Sequence, residues 1–262
     1  ALRNTLNVDF YVVGTSRNKL SKKQTNLIYI EDLFNFENLK SLIDQEKPNV
    51  IINCLSINDI KSQDFQTLRT IYTLIPQYLS FISIQQDIKL VHISSDAVFS
   101  GDRGNYSEKD QPDPNDIYGM CKLFGEPLSS NSSIIRTSMI GHSLQRDRGL
   151  LDWFINQSEC KLYKNAIFSG LPVYELARII SKHFINNSKF NGLFHIASQP
   201  IIKYELLNLV KNVYNLNINI IPDKTYFIDR SLDSSKFTKL SGYNIPSWSD
   251  MITKMKEESF KR

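Results

Sequence analysis

Residues 89–101 read Lys-Leu-Val-His-Ile-Ser-Ser-Asp-Ala-Val-Phe-Ser-Gly, an apolar run that ends in hydroxyl and carboxylate side chains. A continuous apolar run without polar alternation is typical of a strand buried on both faces, as in a parallel sheet. We therefore predict a strand over Lys89–Ser94. Its carboxyl end, at Ser94 and Ser95, falls at the edge of the sheet where open α/β folds bind ligands.

Apolar runs of the same kind alternate with amphipathic stretches along the chain. The runs predict strands at Phe10–Thr15, Leu27–Ile30, Asn49–Cys54, Ser133–Thr137 and Leu193–Ala197. Apolar residues spaced three and four apart predict helices at Phe34–Gln45, Phe65–Gln85, Ile117–Leu128 and Val173–Phe184. This alternation predicts an α/β fold with a doubly wound parallel sheet and right-handed crossovers.

The alternation loosens from about residue 139. Helices are predicted at Gly149–Gln157, Lys203–Tyr214 and Asp250–Glu258, with loops between them. We interpret residues 1–138 as a Rossmann-like, dinucleotide-binding part. Residues 139–262 are interpreted mainly as a small C-terminal substrate-binding part, with residues 166–200 returning to the first part.

A dinucleotide fold normally carries a glycine-rich loop between its first strand and first helix. The first glycine of this chain is Gly14, and no G-x-G-x-x-G pattern follows it. Ala1–Asn7 reads as the end of the first helix, so the first strand and the loop are expected to be missing. Two interpretations stay open: the native amino terminus is absent from this chain, or the protein does not use the loop.

Composition excludes several classes of function. The 31 basic and 27 acidic residues give a net charge of only +4, and the basic residues are scattered, so no nucleic-acid groove or membrane patch is predicted. Three cysteines and four histidines show no metal-binding spacing. No apolar stretch approaches the roughly 18–20 residues of a membrane span, and no signal peptide is recognised. We expect a cytoplasmic protein without a metal.

Tyr118 and Lys122 lie four residues apart at the predicted start of a helix and therefore share one face. A free tyrosine, with a pKa of about 10, is too weak an acid at neutral pH, but a nearby ammonium favours the phenolate. With Ser95 bonded to the same substrate oxygen, Tyr118 can exchange a proton with a carbonyl or alcohol. The alternatives, a solvated helix pair and a simple strand end, stay open.

Residues 94–101 resemble the Ser-Thr-Asp-Tyr-Val-Phe-x-Gly signature of the dTDP-4-dehydrorhamnose reductases, which are extended short-chain dehydrogenase/reductases. The likeness continues at residues 106–126, 135–138, 194–197 and 230–236. The resemblance implies an oxidoreductase of polysaccharide biosynthesis that reduces a 4-keto group on a nucleotide sugar. NADP is the implied cofactor, with NAD as the alternative, and a homodimer is left open.

The resemblance also implies roles for single residues. Ser95 takes the place of the catalytic Ser/Thr, Tyr118 that of the acid/base, and Lys122 that of the lysine; Tyr118 and Lys122 also meet the cofactor. Leu55 and Ser56 fall where the family lines the cofactor.

Asp32 and Leu33 fall where the family meets the adenine, although Asp32 also reads as a helix N-cap. NAD-selective sites usually place a carboxylate at the end of the second strand. This chain has Arg17 just after that strand, and its planar guanidinium suits phosphate oxygens. We predict an NADPH preference carried mainly by Arg17, with an ordinary loop charge as the alternative.

The chain departs from the family pattern on the sugar side. Ala97 replaces the tyrosine of the signature, and Met139 replaces an aromatic residue. Both positions, with Asp96, are expected to bind substrate, so the departures leave the sugar open. Tyr72 stands where the family's helix has asparagine.

Two other functions stay open. One is a non-catalytic binding or regulatory subunit, like the regulatory subunit of methionine adenosyltransferase, which resembles the same family. The other is a nucleotide-sugar epimerase or dehydratase, for which the segment offers only Asp96 as an additional acid/base. The intact set of Ser95, Tyr118 and Lys122 favours the reductase.

Overall fold

The computed structural model of the chain describes residues 1–16, 27–29, 35–57, 60, 63–127, 129–143 and 149–259. The chain divides into two compact units. Unit 1 contains residues 1–93, 124–134 and 177–192, and unit 2 contains residues 94–123, 135–176 and 193–262. The assignment of cofactor and substrate to separate parts of the chain stays a prediction.

Helices occur throughout the described residues. The α-helices are α1 (Leu2–Leu6), α2 (Phe36–Glu46), α3 (Phe65–Arg69), α4 (Ile75–Gln85), α5 (Ile117–Phe124), α6 (Leu150–Ile155), α7 (Val173–Ile179), α8 (Lys203–Tyr214), α9 (Ser235–Ser241) and α10 (Trp248–Ser259). Short 3₁₀ turns lie at Asp96–Val98 and Ser188–Phe190, and π-helical turns lie at Thr70–Leu74 and Ile180–Phe184.

The strands form several sheets. They are β1 (Gly14–Ser16), β2 (Leu27–Tyr29), β3 (Val50–Asn53), β4 (Lys89–Ile93), β5 (Ser132–Arg136), β6 (Met139–Ile140), β7 (Glu159–Phe168), β8 (Leu171–Pro172), β9 (Gly192–His195), β10 (Ile201–Ile202) and β11 (Asn219–Asp229). One sheet has the order β3-β4-β5-β9 and another has the order β10-β7-β11, while β1 pairs with β2 and β6 with β8.

The strand predicted over Lys89–Ser94 is β4, and it is buried in a parallel sheet. β3 runs parallel to β4, in a register that pairs Val50 with Lys89 and Asn53 with His92. Leu90 and Val91 are neighbours in β4, so their side chains point to opposite faces, and both are fully buried. This explains the apolar run without alternation and confirms the α/β fold with parallel strands.

The core of unit 1 is formed by helices packed against this strand. Leu39 and Ile43, four residues apart on α2, pack with Leu79 and Ile82 of α4 and with Leu90 of β4. The apolar stripe of each helix faces the sheet, as the three- and four-residue spacing predicts.

Unit 2 contains a sheet that was not predicted. Loops were expected between the C-terminal helices, but β7 and β11 are parallel strands of ten and eleven residues. In β7 the buried side chains of Cys160 and Leu162 alternate with exposed ones and pack against α8, where Leu206 and Val210 are buried. The expectation was wrong because β11 is mostly exposed and contains Pro222, so it has no apolar face to detect.

Two predicted boundaries and one predicted helix also need correction. The strand expected over Phe10–Thr15 begins only at Gly14, because the amide of Phe10 still donates to the carbonyl of Leu6 in the turn after α1. The helix expected to reach Leu128 ends at Phe124, before Gly125 and Pro127. The helix predicted over Phe65–Gln85 is continuous but contains the π turn.

Within the described ranges, no helix is long and apolar enough to cross a bilayer.

Candidate active site

Ser95 lies just beyond the carboxyl end of β4, as predicted. The amide of Ser94 donates to the carbonyl of Ile135 at 2.8 Å, and the amide of Asp96 donates to that of Thr137 at 3.2 Å. The Ser95 hydroxyl accepts from the amide of Ala97 at 3.1 Å, which caps the 3₁₀ turn, and donates to Oδ1 of Asp96 at 3.3 Å. The serine is therefore held in place by the two residues that follow it.

Tyr118 and Lys122 lie on α5, whose start is fixed by Asp116. Oδ1 of Asp116 accepts from the amide of Gly119 at 2.7 Å, and its carbonyl accepts from the amide of Met120 at 3.1 Å. This is N-cap geometry, which satisfies donors in the first helical turn. Tyr118 is half-buried, whereas Lys122, one turn later on the same face, is only 6% exposed.

Gly119 brings the first turn of α5 against the segment that follows Ser95. A Cβ built on Gly119 would overlap the carbonyl oxygen of Ala97 and would lie 2.9 Å from Cβ of Pro114. Only glycine permits this approach. Unit 2 therefore contains Ser95, Tyr118 and Lys122, on two segments that are in direct backbone contact.

The side chain of Asp96 sits among cations that sequence reasoning missed. Burial raises the pKa of Asp96, while the charge of Arg230, the hydrogen bond from Ser95 and the charge of Lys203 oppose that rise. Burial also lowers the pKa of Lys203, against the attraction of Asp96. In the described part of the chain, Lys203 has no hydrogen bond or ion pair. Nothing in the sequence separates this lysine from the others.

Arg230 connects the end of β11 to the start of α5. Its guanidinium donates to Oδ1 of Asn115 at 2.9 Å and lies 3.4 Å from Oδ2 of Asp116, while its Nε donates to the carbonyl of Ser100 at 3.4 Å. One carboxylate oxygen of Asp116 thus caps α5, and the other lies close to the guanidinium of Arg230. The sequence placed Arg230 in a family motif but gave it no role.

The other predicted sugar-side residues differ in exposure. Ala97 is buried, whereas Met139 in β6 is 49% exposed. Around them, Arg136 and Thr137 are buried at the end of β5, and the Thr137 hydroxyl donates to the carbonyl of Ile196 at 2.7 Å.

Of the predicted cofactor residues that the structure describes, Leu55 and Ser56 lie in unit 1, whereas Tyr118 and Lys122 lie in unit 2. Leu55 is half-buried and Ser56 is exposed, just after the carboxyl end of β3. In open α/β sheets the ligand-binding crevice lies at the carboxyl ends of the strands. An apolar side chain and a hydroxyl at that end therefore fit a dinucleotide. Arg17, Asp32 and Leu33 lie outside the described residues. Among those described, no three His, Cys, Asp or Glu side chains are grouped to hold a metal.

Comparison with known proteins identifies two kinds of relative. The chain is 28% identical over 191 residues to the dTDP-4-dehydrorhamnose reductase of Aggregatibacter actinomycetemcomitans, covering 66% of this chain and 63% of that protein. It is 31% identical over 202 residues to methionine adenosyltransferase 2 subunit beta of Xenopus tropicalis, covering 68% of this chain and 58% of that protein. The matches thus span less than two thirds of both relatives.

Solved structures share the fold. The dTDP-4-dehydrorhamnose reductase of Bacillus anthracis, in complex with NADP, superposes with a TM-score of 0.77 at 23% identity, covering 89% of this chain and 90% of that one. A hypothetical dTDP-4-dehydrorhamnose reductase from Sulfolobus tokodaii gives 0.77 at 26% identity, covering 94% and 92%. The family model described as "RmlD substrate binding domain" matches residues 2–259, which confirms the predicted resemblance. This chain belongs to the RmlD substrate binding domain family.

Proposed function

We propose that this protein reduces the 4-keto group of a nucleotide-activated deoxysugar. The observation that carries the proposal is the contact of Gly119 with the carbonyl of Ala97. It sets the helix turn bearing Tyr118 against the segment that Ser95 caps. A hydroxyl at a strand end, with a tyrosine and a lysine on one helix face, can surround one carbonyl oxygen.

In this proposal the Ser95 hydroxyl turns its proton from Oδ1 of Asp96 to the substrate carbonyl oxygen. Tyr118 donates a second hydrogen bond to the same oxygen, and together they polarise the carbonyl. A nicotinamide cofactor, when bound, would supply a hydride to the carbonyl carbon. As negative charge develops on the oxygen, the O–H bond of Tyr118 breaks and its proton moves to that oxygen, which completes the alcohol. The tyrosinate is then reprotonated from water.

In this proposal the positive charge of Lys122 assists the proton transfer from Tyr118. Lys122 is buried, so its ammonium acts in a medium of low dielectric, where it stabilises the tyrosinate more strongly than in water. Lys122 is also proposed to hold a hydroxyl of the cofactor's ribose. Asp96, Ala97 and Met139 are proposed to contact the sugar.

For the cofactor we propose NADPH, with NADH as the alternative. The similar Bacillus anthracis structure contains NADP, and the Bordetella bronchiseptica enzyme WbmG, similar with a TM-score of 0.80 at 15% identity, is in complex with NAD and UDP. Leu55 and Ser56 are proposed to line the dinucleotide. Asp32 and Leu33 are proposed at the adenine and Arg17 at the 2′-phosphate.

The test is to mix the full chain with NADPH and a dTDP-4-keto-6-deoxyhexose and to follow absorbance at the nicotinamide band with product analysis. We expect one NADPH oxidised per 4-hydroxyl sugar formed. Binding of both ligands without NADPH oxidation would overturn the proposal in favour of a regulatory subunit. A rearranged sugar without net NADPH consumption would overturn it in favour of an epimerase or dehydratase.

A further inference from the structure

The turn after β3 is held by side chains. The amide of Leu55 donates to Oδ1 of Asn53 at 3.1 Å, and the amide of Ile57 donates to the phenol oxygen of Tyr72 at 3.0 Å. The Ser56 hydroxyl lies 3.2 Å from the same phenol oxygen. Two consecutive residues of the turn, Ser56 and Ile57, are thus hydrogen-bonded to the side chain of Tyr72, which lies 16 and 15 residues after them in the chain.

The other support of the turn, Asn53, is itself fixed. Its side-chain amide lies 3.1 Å from Nδ1 of His92 in β4, and both side chains are buried. Because the amide nitrogen must donate, Nδ1 accepts and the ring proton sits on Nε2. The histidine therefore orients Asn53, which orients Leu55.

Tyr72 occupies an unusual place in its helix. It is 1% exposed and lies in the middle of the π turn between α3 and α4. Such turns are rare and occur frequently at functional sites. A phenylalanine would fill the same space without needing partners, whereas a buried phenol must find them. It finds them at Ser56 and Ile57.

We propose that Tyr72 is a positioning residue for the dinucleotide: its phenol fixes the Leu55–Ile57 turn in the shape that receives the cofactor. This inference rests on the proposed function, because that function places Leu55 and Ser56 at the cofactor. All of its contacts lie within unit 1. It also gives a role to the tyrosine that stands where the family's helix has asparagine.

Tyr72→Phe keeps the ring and removes the hydrogen bonds. We expect the Kd for NADPH, measured by calorimetric titration, to rise about tenfold, which corresponds to the roughly 1.4 kcal/mol of one hydrogen bond. Amide exchange at Ile57 in the cofactor-free protein should accelerate to a similar extent, while kcat at saturating NADPH stays unchanged.

The matched control is Tyr78→Phe on α4, since Tyr78 stacks on Phe36 at 4.8 Å and has no described hydrogen bond to the turn. It should leave both Kd and exchange unchanged. An unchanged Kd in Tyr72→Phe, with the wild type binding NADPH, would overturn this inference alone. Accelerated exchange at Ile57 without NADPH binding by the wild type would instead overturn the proposed function and this role with it.

Discussion

The Cα of Gly119 faces the carbonyl oxygen of Ala97 so closely that no side chain fits between them. Because Ala97 also donates its amide to Ser95, a single residue is in contact with both halves of the candidate site. The distance between the strand end and the start of α5 is therefore set by backbone atoms, which are less mobile than side chains.

We expect Gly119→Ala to reduce both stability and turnover, although alanine is the better helix former. The added Cβ must push α5 away from Ala97, and overpacking of this kind costs about 1–3 kcal/mol in the free energy of unfolding. Urea unfolding and NADPH oxidation measure the two effects. Gly141→Ala is the control, since its Cβ would come no closer than 3.0 Å to a neighbour, a side-chain methyl group of Val173. Equal losses in the two variants would contradict the prediction.

Tyr118→Phe is expected to lower kcat by about a hundredfold or more while KM for the nucleotide sugar changes little, because the proton is needed only as the oxygen becomes charged. Initial rates over a range of substrate concentrations separate the two parameters. Tyr163→Phe, at a 41% exposed tyrosine, should be neutral. A variant that keeps more than about a tenth of the rate would show that Tyr118 is not the acid.

His195 should make stability depend on pH. It is fully buried, its Nδ1 donates to the carbonyl of Tyr106 at 2.8 Å, and burial, together with the charge of Arg136, lowers its pKa to about 4. The unfolded chain therefore binds a proton more readily. The stability that the neutral His195 ring contributes to the folded state is fully present above pH 6.5 and is lost as pH falls toward 4.

Between pH 7.5 and pH 5, His195 alone should lower the free energy of unfolding by about 2 kcal/mol. His195→Gln removes the titration and should flatten the curve by that amount in denaturant unfolding at the two pH values. Burial lowers the pKa of His183 as well, so part of the slope is expected to remain. A curve equally steep in the variant would refute the role of His195.

Lys203→Met should move the titration of Asp96 to higher pH. Burial already raises the pKa of this carboxyl, and the charge of Lys203 is one of the influences that oppose the rise. Carboxyl ¹³C NMR of aspartate-labelled protein follows the titration directly. Lys211→Met, on the same helix α8, should leave it unchanged. A titration that stays in place or moves to lower pH would contradict the described surroundings of Asp96.

The sequence was sufficient to predict a helix or strand wherever its apolar pattern and its flanking residues indicated the same element. Lys203–Tyr214 was predicted with its observed bounds, since its apolar stripe is regular and Pro200 and Asn215 lie just outside it. β4 was predicted to within one residue, because burial on both faces leaves a continuous apolar run. The position of Ser95 followed from β4, and those of Tyr118 and Lys122 followed from the helix predicted to begin at Ile117.

Structural features that depend on tertiary contacts could not be predicted from the sequence. β11 is held by backbone bonds to β7 rather than by an apolar face, so its residues look like a loop. The surroundings of Lys203 and the contact of Asp116 with Arg230 come from neighbours far away in the chain, and no local pattern records them. The phenol of Tyr72 is similar, because a buried tyrosine and a buried phenylalanine produce the same periodicity.

The double use of Asp116 has a consequence for how members of this family diverge. One oxygen starts α5 and the other faces Arg230, so residues 116 and 230 are expected to be inherited as a pair. A chimaera joined anywhere between them, made to exchange sugar preference by grafting a foreign C-terminal segment, separates the carboxylate from its guanidinium. Such grafts should keep the contact between residues 116 and 230 only when residue 116 travels with the transplanted segment.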